Sequence, residues 1–347
     1  MAHKHHSNCL KFSISLIFML FFQVSWGQIE ELDDLIKKSR LEFGQEIVVM
    51  ASRGDSIFYL NETQEYKSGN QEMIGEASGW FTAALAMKLV EEGKLKLDDP
   101  VAKYIPIFKT YAKNYLTVRH CLMNTTGILS DRNTAVRHTG KKENYAMLEE
   151  IVNDYAKKEI QYNPGEAYHF NKMGMAIAAR VMEIVGKKAF ERQVTEKIFR
   201  PLAMRKSTFN TEYGSDPLSG ARTTAGDYIL FLNMLLRGGK SHTGNVILSE
   251  ESVQELLKIR NSDARVLFSP DYATQMQPAF GAWVIEADGE KTVIAASPST
   301  NGSWPFINIC RGYSAIIFMP QHSKLSTVRF FEQVMAILDD YNPDKCN

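Results

Sequence analysis

The sequence is poor in cysteine and has no excess of charge. Its four cysteines include no Cys-x-x-Cys pair, which excludes a thiolate metal site of the usual spacing and a dense disulfide framework. Lysine plus arginine and aspartate plus glutamate each number 40, so there is no basic surplus to bind nucleic acid. There is no Gly-rich phosphate loop, no two histidines stand at i, i+4, and no apolar run reaches the ~20 residues that span a bilayer. Neither a metal nor a cofactor nor a nucleic-acid partner is expected.

The chain opens with a leader-like segment. Lys4 and Lys11, with three histidines, accompany an apolar run from Phe12 to Val24, followed by the small residues Ser25 and Gly27. This is the pattern of a cleaved signal peptide, and the run is too short for a membrane anchor. Cleavage near Gly27 predicts an exported protein, periplasmic or secreted, with no membrane association afterwards. The remaining cysteines, Cys121, Cys310 and Cys346, are odd in number and widely spaced, which argues against a disulfide framework.

With 44% hydrophobic residues the chain can bury a large core. Residues 46–51 and 56–60 are short β-rich runs separated by Arg53-Gly54-Asp55, a hairpin signal. Residues 77–92 are apolar nearly all round and stop at Gly93, as an interior helix would. From about 115 to 260 the pattern is mainly helical, with 174–186 and 226–237 at helical period. Residues 280–286, 291–296 and 313–319 are strand-like, and 326–339 form an amphipathic helical pattern. These runs predict an α/β (α+β) fold in which N- and C-terminal strands complete one antiparallel sheet flanked by helices, with a large helical insertion and a cleft between the lobes. Residues 1–27 are the predicted leader and 28–347 a single unit, its sheet lobe at about 30–75 and 265–342 and its helical lobe at about 76–264.

Several segments then resemble one family in the right order. They are Phe81–Pro106, Leu116–Ile128, Pro164-Gly165, Ile198–Met204 and Arg222–Asp227. They are similar to landmarks of the serine β-lactamases and penicillin-binding peptidases, including class C β-lactamases, D-alanyl-D-alanine carboxypeptidases and related esterases. The resemblance runs from about 42 to 320 and implies their fold.

The resemblance also implies where catalysis would lie. The family's Ser-x-x-Lys spacing puts nucleophile and lysine on one helix face. In register, those positions are Glu76 and Gly79. Ser78 is two residues past the nucleophile position and points elsewhere, so no serine acyl-enzyme is expected. The Tyr-x-Asn motif falls on His169-Phe170-Asn171, and a histidine there can still transfer protons. The Lys/His-Thr-Gly motif falls within Ala296–Trp304, where only Ser299, Thr300, Asn301 and Gly302 resemble it and the cation is absent. His138-Thr139-Gly140 spells that motif inside the helical insertion and is read as coincidence.

A carboxylate at the floor of a cleft is costly unless paired or used, which points to a remodelled site. The leading expectation is an exported hydrolase acting on a glycoside, with Glu76 as acid/base or nucleophile and His169 as helper. Its substrate, a small molecule or oligosaccharide, would meet Asn171, Trp80, Asn301, Trp304 and Glu166, with indoles stacking on sugar rings. A second carboxylate is not identifiable. Trp80 and Trp283 can equally be core aromatics, Glu166 a turn residue and Asn171 a helix cap. The alternatives are an inactive protein that binds a ligand or partner in the cleft, and an esterase or amidase that activates water directly. The loops 129–145 and 262–278 carry no readable motif.

Overall fold

Gly54, at φ +61°, takes the left-handed turn position that lets it join strand β1 (Val48–Arg53) to strand β2 (Ser56–Asn61) through a two-residue loop with Asp55. In the computed structural model, which describes residues 29–129, 147–209, 216–260, 264–320 and 325–342, this hairpin belongs to a seven-stranded sheet. The other strands are β3 (Gln277–Ala279), β4 (Ala282–Asp288), β5 (Lys291–Ala296), β6 (Ser303–Asn308) and β7 (Tyr313–Phe318). Their order is β2-β1-β7-β6-β5-β4-β3, and every neighbouring pair is antiparallel. The two ends of the chain meet where β1 pairs with β7, from Val48 opposite Phe318 to Ser52 opposite Ser314.

The alternation of side chains across the sheet separates two cores. Val48, Met50, Ile307, Ile316 and Phe318 face the helical insertion. Val49, Ala51, Trp304, Phe306, Ala315 and Ile317 face the opposite way. Helix α1 (residues 29–43) and the C-terminal helix α5 (Leu325–Tyr341) cover that second face through Leu32, Ile36, Phe43, Phe330, Phe331 and Val334. On the first face lie α2 (Gly79–Glu91), α3 (Lys172–Gly186) and α4 (Ala225–Leu236). Every residue of α2 from Gly79 to Met87 is buried, which explains its apolar character all round.

Two strands escape the sequence pattern. All six residues of β6 are buried because both faces of the sheet are covered, so no alternation marks it, and Trp304-Pro305 reads as loop. Pro305 is tolerated because β6 pairs with β5 only from Phe306 onward. β3, three residues long, is too short to carry a period. The cysteine expectation is also corrected: Cys310, in the turn between β6 and β7, is disulfide-bonded. An odd count is no bar to a bridge when another cysteine is buried as a free thiol, as Cys121 is. Among the described residues, no helix is long and apolar enough to cross a membrane.

Asn233 ties the helical side to the sheet. From α4 its amide donates to Ser52 Oγ at 2.9 Å and to Gly54 O at 2.7 Å, and its oxygen accepts from Ser314 Oγ at 2.7 Å. Asn233→Leu leaves the buried Ser314 hydroxyl without its acceptor and takes a donor from Ser52 Oγ, which keeps its bond to Gly54 O, and is expected to cost about 1–3 kcal/mol. Urea denaturation measures it through the midpoint at constant slope; a loss below about 1 kcal/mol would show that these groups find other partners.

Candidate active site

Ile74 ends the approach to α2, and Gly75–Ser78 form a single 3-10 turn that leads into the helix. Glu76 sits on this turn, half-buried. Its carboxylate accepts from the Thr300 backbone N–H at 2.9 Å and lies 2.9 Å from the Thr300 hydroxyl through either oxygen. Thr300 belongs to the loop between β5 and β6, so a contact across 224 residues joins the start of α2 to the edge of the sheet. A backbone N–H and a hydroxyl aimed at one carboxylate satisfy the charge that would otherwise be costly in a cleft floor. The sequence flagged Thr300 only as a remnant of the third motif; its role as the partner of Glu76 needed the fold.

Ser78 is not a displaced nucleophile. It is fully buried, its hydroxyl donates to Gly75 O at 2.6 Å, and it accepts from Ala221 N at 3.0 Å. The space beside Gly79 is narrow as well. A Cβ there would press on Leu218 Cδ1 at 3.2 Å and make ordinary contact with Gly281 Cα at 3.7 Å, so Leu218 must shift for a longer side chain and Gly281 forms the other wall. Gly281 creates that wall: at φ +68° its own Cβ would be 2.2 Å from Gly79 O, so only glycine permits the approach. Neither Leu218 nor Gly281 has a motif that could have marked it beforehand.

His169 ends the short strand Ala167–His169, which pairs in parallel with Arg265–Phe268. Asn124, at φ +54°, orients this segment: its carbonyl accepts from His169 N at 2.9 Å and its side chain from Asn171 N at 3.3 Å. Asn171 caps α3, its oxygen accepting from Met173 N at 2.8 Å. The cap reading therefore holds for Asn171, whose remaining amide hydrogens meet His169 O at 2.9 Å and His169 Nδ1 at 3.1 Å. The half-buried ring lies beside Phe268, and burial holds its pKa below the ordinary 6.5.

Tyr272 packs in the second core, within the electrostatic influence of Glu76. It is 9% exposed, stands edge-on to both Trp283 and Trp304, and its phenol oxygen has no hydrogen-bond partner among the described residues. Burial, with the Glu76 charge and Tyr168 adding to it, pushes the phenol well above its ordinary range. It lies in a loop that the sequence left without a motif. Phe170 packs on Trp283, which ties the His169 segment to the Tyr272–Trp283 pair.

The remaining expected contacts divide. Asn301 is half-buried beside Gly75 and reaches Met73 O at 3.5 Å, so it stands at the site. Trp80 does not: it is fully buried, edge-on to Phe231 in the core beneath α2. Trp304 does not either, because its place on β6 turns it to the opposite face of the sheet, where it stacks on Phe331 at 4.6 Å. Trp283 is likewise a core residue. Glu166 is exposed and accepts from Asn163 at 2.8 Å within its own turn. His138-Thr139-Gly140 lies outside the described residues. No group of three or more His, Cys, Asp or Glu among the described residues could hold a metal ion.

Comparison with known proteins bears on the fold and the family. The profile of the family described as Beta-lactamase matches residues 80–270. A candidate β-lactamase from Bacteroides dorei DSM 17855 is similar at TM-score 0.79 and 25% identity, over 89% of this chain and 98% of that one. EstCE1, a hydrolase with promiscuous acyltransferase activity, gives 0.72 at 15% identity over 91% and 98%, a likeness of fold alone. Protein flp of Staphylococcus aureus (strain MW2) is 30% identical over 142 residues, 39% of this chain and 27% of that protein. Teichoic acid D-alanine hydrolase of Staphylococcus aureus (strain MRSA252) is 27% identical over 140 residues, 40% of this chain and 33% of that protein. The aligned stretch thus spans about a quarter to a third of these curated relatives. A family match that covers more than half of the chain, on a sheet and helix arrangement shared with solved relatives, shows that this protein belongs to the β-lactamase family and carries its hydrolase fold.

Proposed function

We propose that this member of the family binds an acyl ester or amide in its cleft without forming an acyl-enzyme. The observation that carries the reading is the Glu76 carboxylate bound to Thr300 at the position of the family nucleophile. Leu218 and Gly281 narrow the space beside Gly79, where the resemblance would put a lysine. The ligand class follows the names of the relatives, a β-lactamase and a teichoic acid D-alanine hydrolase.

The chemistry of His169 supports binding over turnover. The helix cap fixes the Asn171 amide with its oxygen on Met173 N, so its nitrogen faces His169 Nδ1. A donor facing Nδ1 makes that nitrogen the acceptor and leaves the ring proton on Nε2. A neutral ring of this tautomer donates a hydrogen bond but has no free lone pair with which to take a proton. It can hold a carbonyl oxygen; it cannot serve as the general base for water. The glycoside reading has lost both of its stacking indoles to the cores, and no second carboxylate is paired with Glu76 among the described residues.

Export remains part of the proposal and rests on the leader-like residues 1–27. N-terminal sequencing of protein recovered outside the cytoplasm is expected to begin near Gln28; an intact Met1 in that fraction would reject cleavage.

Two further outcomes are expected. After incubation with a penicillin or an alkyl fluorophosphonate the intact mass stays unchanged, and rates on aryl esters and aryl glycosides match those of Glu76→Gln. Glu76-dependent turnover of a glycoside would restore the glycosidase reading, and of an ester the water-activating one. His120 and His169 both titrate below 6.5 in the fold because burial disfavours the charged ring. Between 6.5 and those lower values the unfolded chain binds more protons, so stability falls as pH drops through this window and these groups leave it unchanged above. Urea midpoints at about pH 7.5 and about pH 5.5 should show the loss, and His169→Gln should make it shallower; an NMR midpoint for His169 above 6.5 would contradict the burial argument.

A further inference from the structure

The contact between Glu76 and Thr300 has the form of a ligand held in a receptor. Both donors belong to the loop between β5 and β6: the Thr300 backbone N–H lies 2.9 Å from one carboxylate oxygen, and the Thr300 hydroxyl 2.9 Å from each of the two. The carboxylate arrives from the turn before α2, 224 residues away along the chain. One N–H and one hydroxyl converging on a single carboxylate make a donor set that would seat an external carboxylate or carbonyl oxygen equally well. The receptor is also braced by bonds of its own. Ser299 N donates to Ser303 O at 2.9 Å, Gly302 N to Ser299 O at 3.2 Å and Ser303 N to the buried Ser299 Oγ at 3.3 Å, so the loop closes on itself around Thr300. Asn301 lies against Gly75, where at φ +56° a Cβ would come within 2.9 Å of its Oδ1. Glu76 and Thr300 are each half-buried, so neither is sealed from solvent.

We propose that Glu76 is a built-in occupant of an oxygen-binding seat on Thr300, and that by filling it the chain bars carboxylate ligands from the floor of the cleft. This rests on the binding reading given above and names the ligands that the cleft rejects. An incoming carboxylate finds the N–H and the hydroxyl of Thr300 taken and a like charge standing where it would bind, which is specificity by exclusion. A neutral ester or amide meets no such repulsion and can use a donor such as His169 Nε2. The barrier resides in one side chain. Removing the carboxylate while the loop keeps its own bonds uncovers two donors with nothing to accept them, a costly state that a small oxygen ligand relieves. Glu76 is thus a specificity-determining residue as well as the replacement of a nucleophile. A purely structural tie between loop and helix predicts otherwise: its removal would loosen the loop, and no small carboxylate would restore it.

The test is Glu76→Ala in the full chain, titrated with sodium acetate against sodium chloride at equal ionic strength near neutral pH. Acetate is the end of the Glu76 side chain without its tether. In the variant the Thr300 amide resonance is expected to shift and saturate with a Kd of about 1–50 mM, and the melting temperature to rise by about 2–4 °C at roughly ten times that Kd. The wild-type resonance should stay unmoved over the same range. Glu76→Gln, whose amide oxygen still reaches the Thr300 N–H, should bind acetate at least about tenfold more weakly than Glu76→Ala. Adding Thr300→Val to Glu76→Ala removes the hydroxyl and should weaken acetate several-fold. Saturable binding of acetate at Thr300 of the wild-type protein overturns the proposal, and that measurement needs no variant to fold. A Glu76→Ala protein that acetate neither binds nor stabilises also overturns it. If the variant is unfolded by itself, recovery of its fold in acetate supports the proposal and failure to recover overturns it. Acetate has no bond to hydrolyse, so Glu76-dependent turnover of an ester would reject the non-turnover reading and leave these outcomes standing.

Discussion

The antiparallel pairing of β1 with β7 is the constraint on which the rest depends. It joins strands from the two ends of the chain, Val48 to Phe318 and Ser52 to Ser314, and leaves everything between them as a long excursion that returns to the same sheet. Because the pairing fixes which residues face up and which face down, it also decides which core each strand supplies. Asn233 locks the excursion to this seam through Ser52, Gly54 and Ser314. Once the seam is closed, the loop between β5 and β6 is delivered to the first turn of α2, and Thr300 reaches Glu76.

That delivery turns a lost motif into a different site. A serine and lysine on one helix face would present a nucleophile and its activator; this chain presents a carboxylate already engaged by an amide and a hydroxyl. Beside it, Gly281 approaches the backbone of Gly79 more closely than any residue with a Cβ could, and Leu218 narrows the room for a side chain at Gly79. His169 stands where the family motif has a phenol, with its Nδ1 facing the Asn171 amide.

The organisation of the fold was largely legible, for physical reasons. Glycine at a two-residue turn marked the hairpin at Gly54, an all-apolar run marked α2, and the ordered segments from Phe81 to Asp227 marked the family. What was not legible follows equally from physics. β6 carries no alternation because both of its faces are buried, and Tyr272, Leu218 and Gly281 act only through neighbours distant in sequence. Trp80 and Trp304 were misplaced because an indole near a motif reads as a platform until its face is known, and one residue of register on β6 sends Trp304 to the far core.

By itself the sequence determined the family, the two-ended sheet, the position of Glu76 and Gly79 where a nucleophile and lysine would stand, and the His169-Phe170-Asn171 segment. These are local matters of periodicity, spacing and residue identity. Only the tertiary structure decided that Thr300 holds Glu76, that Leu218 and Gly281 narrow the space beside Gly79, that the Asn171 amide faces His169 Nδ1, and that Tyr272 keeps a buried oxygen without a partner among the described residues. Each of these depends on which distant segments the closed sheet brings within hydrogen-bond reach, and no pattern along the chain encodes that distance.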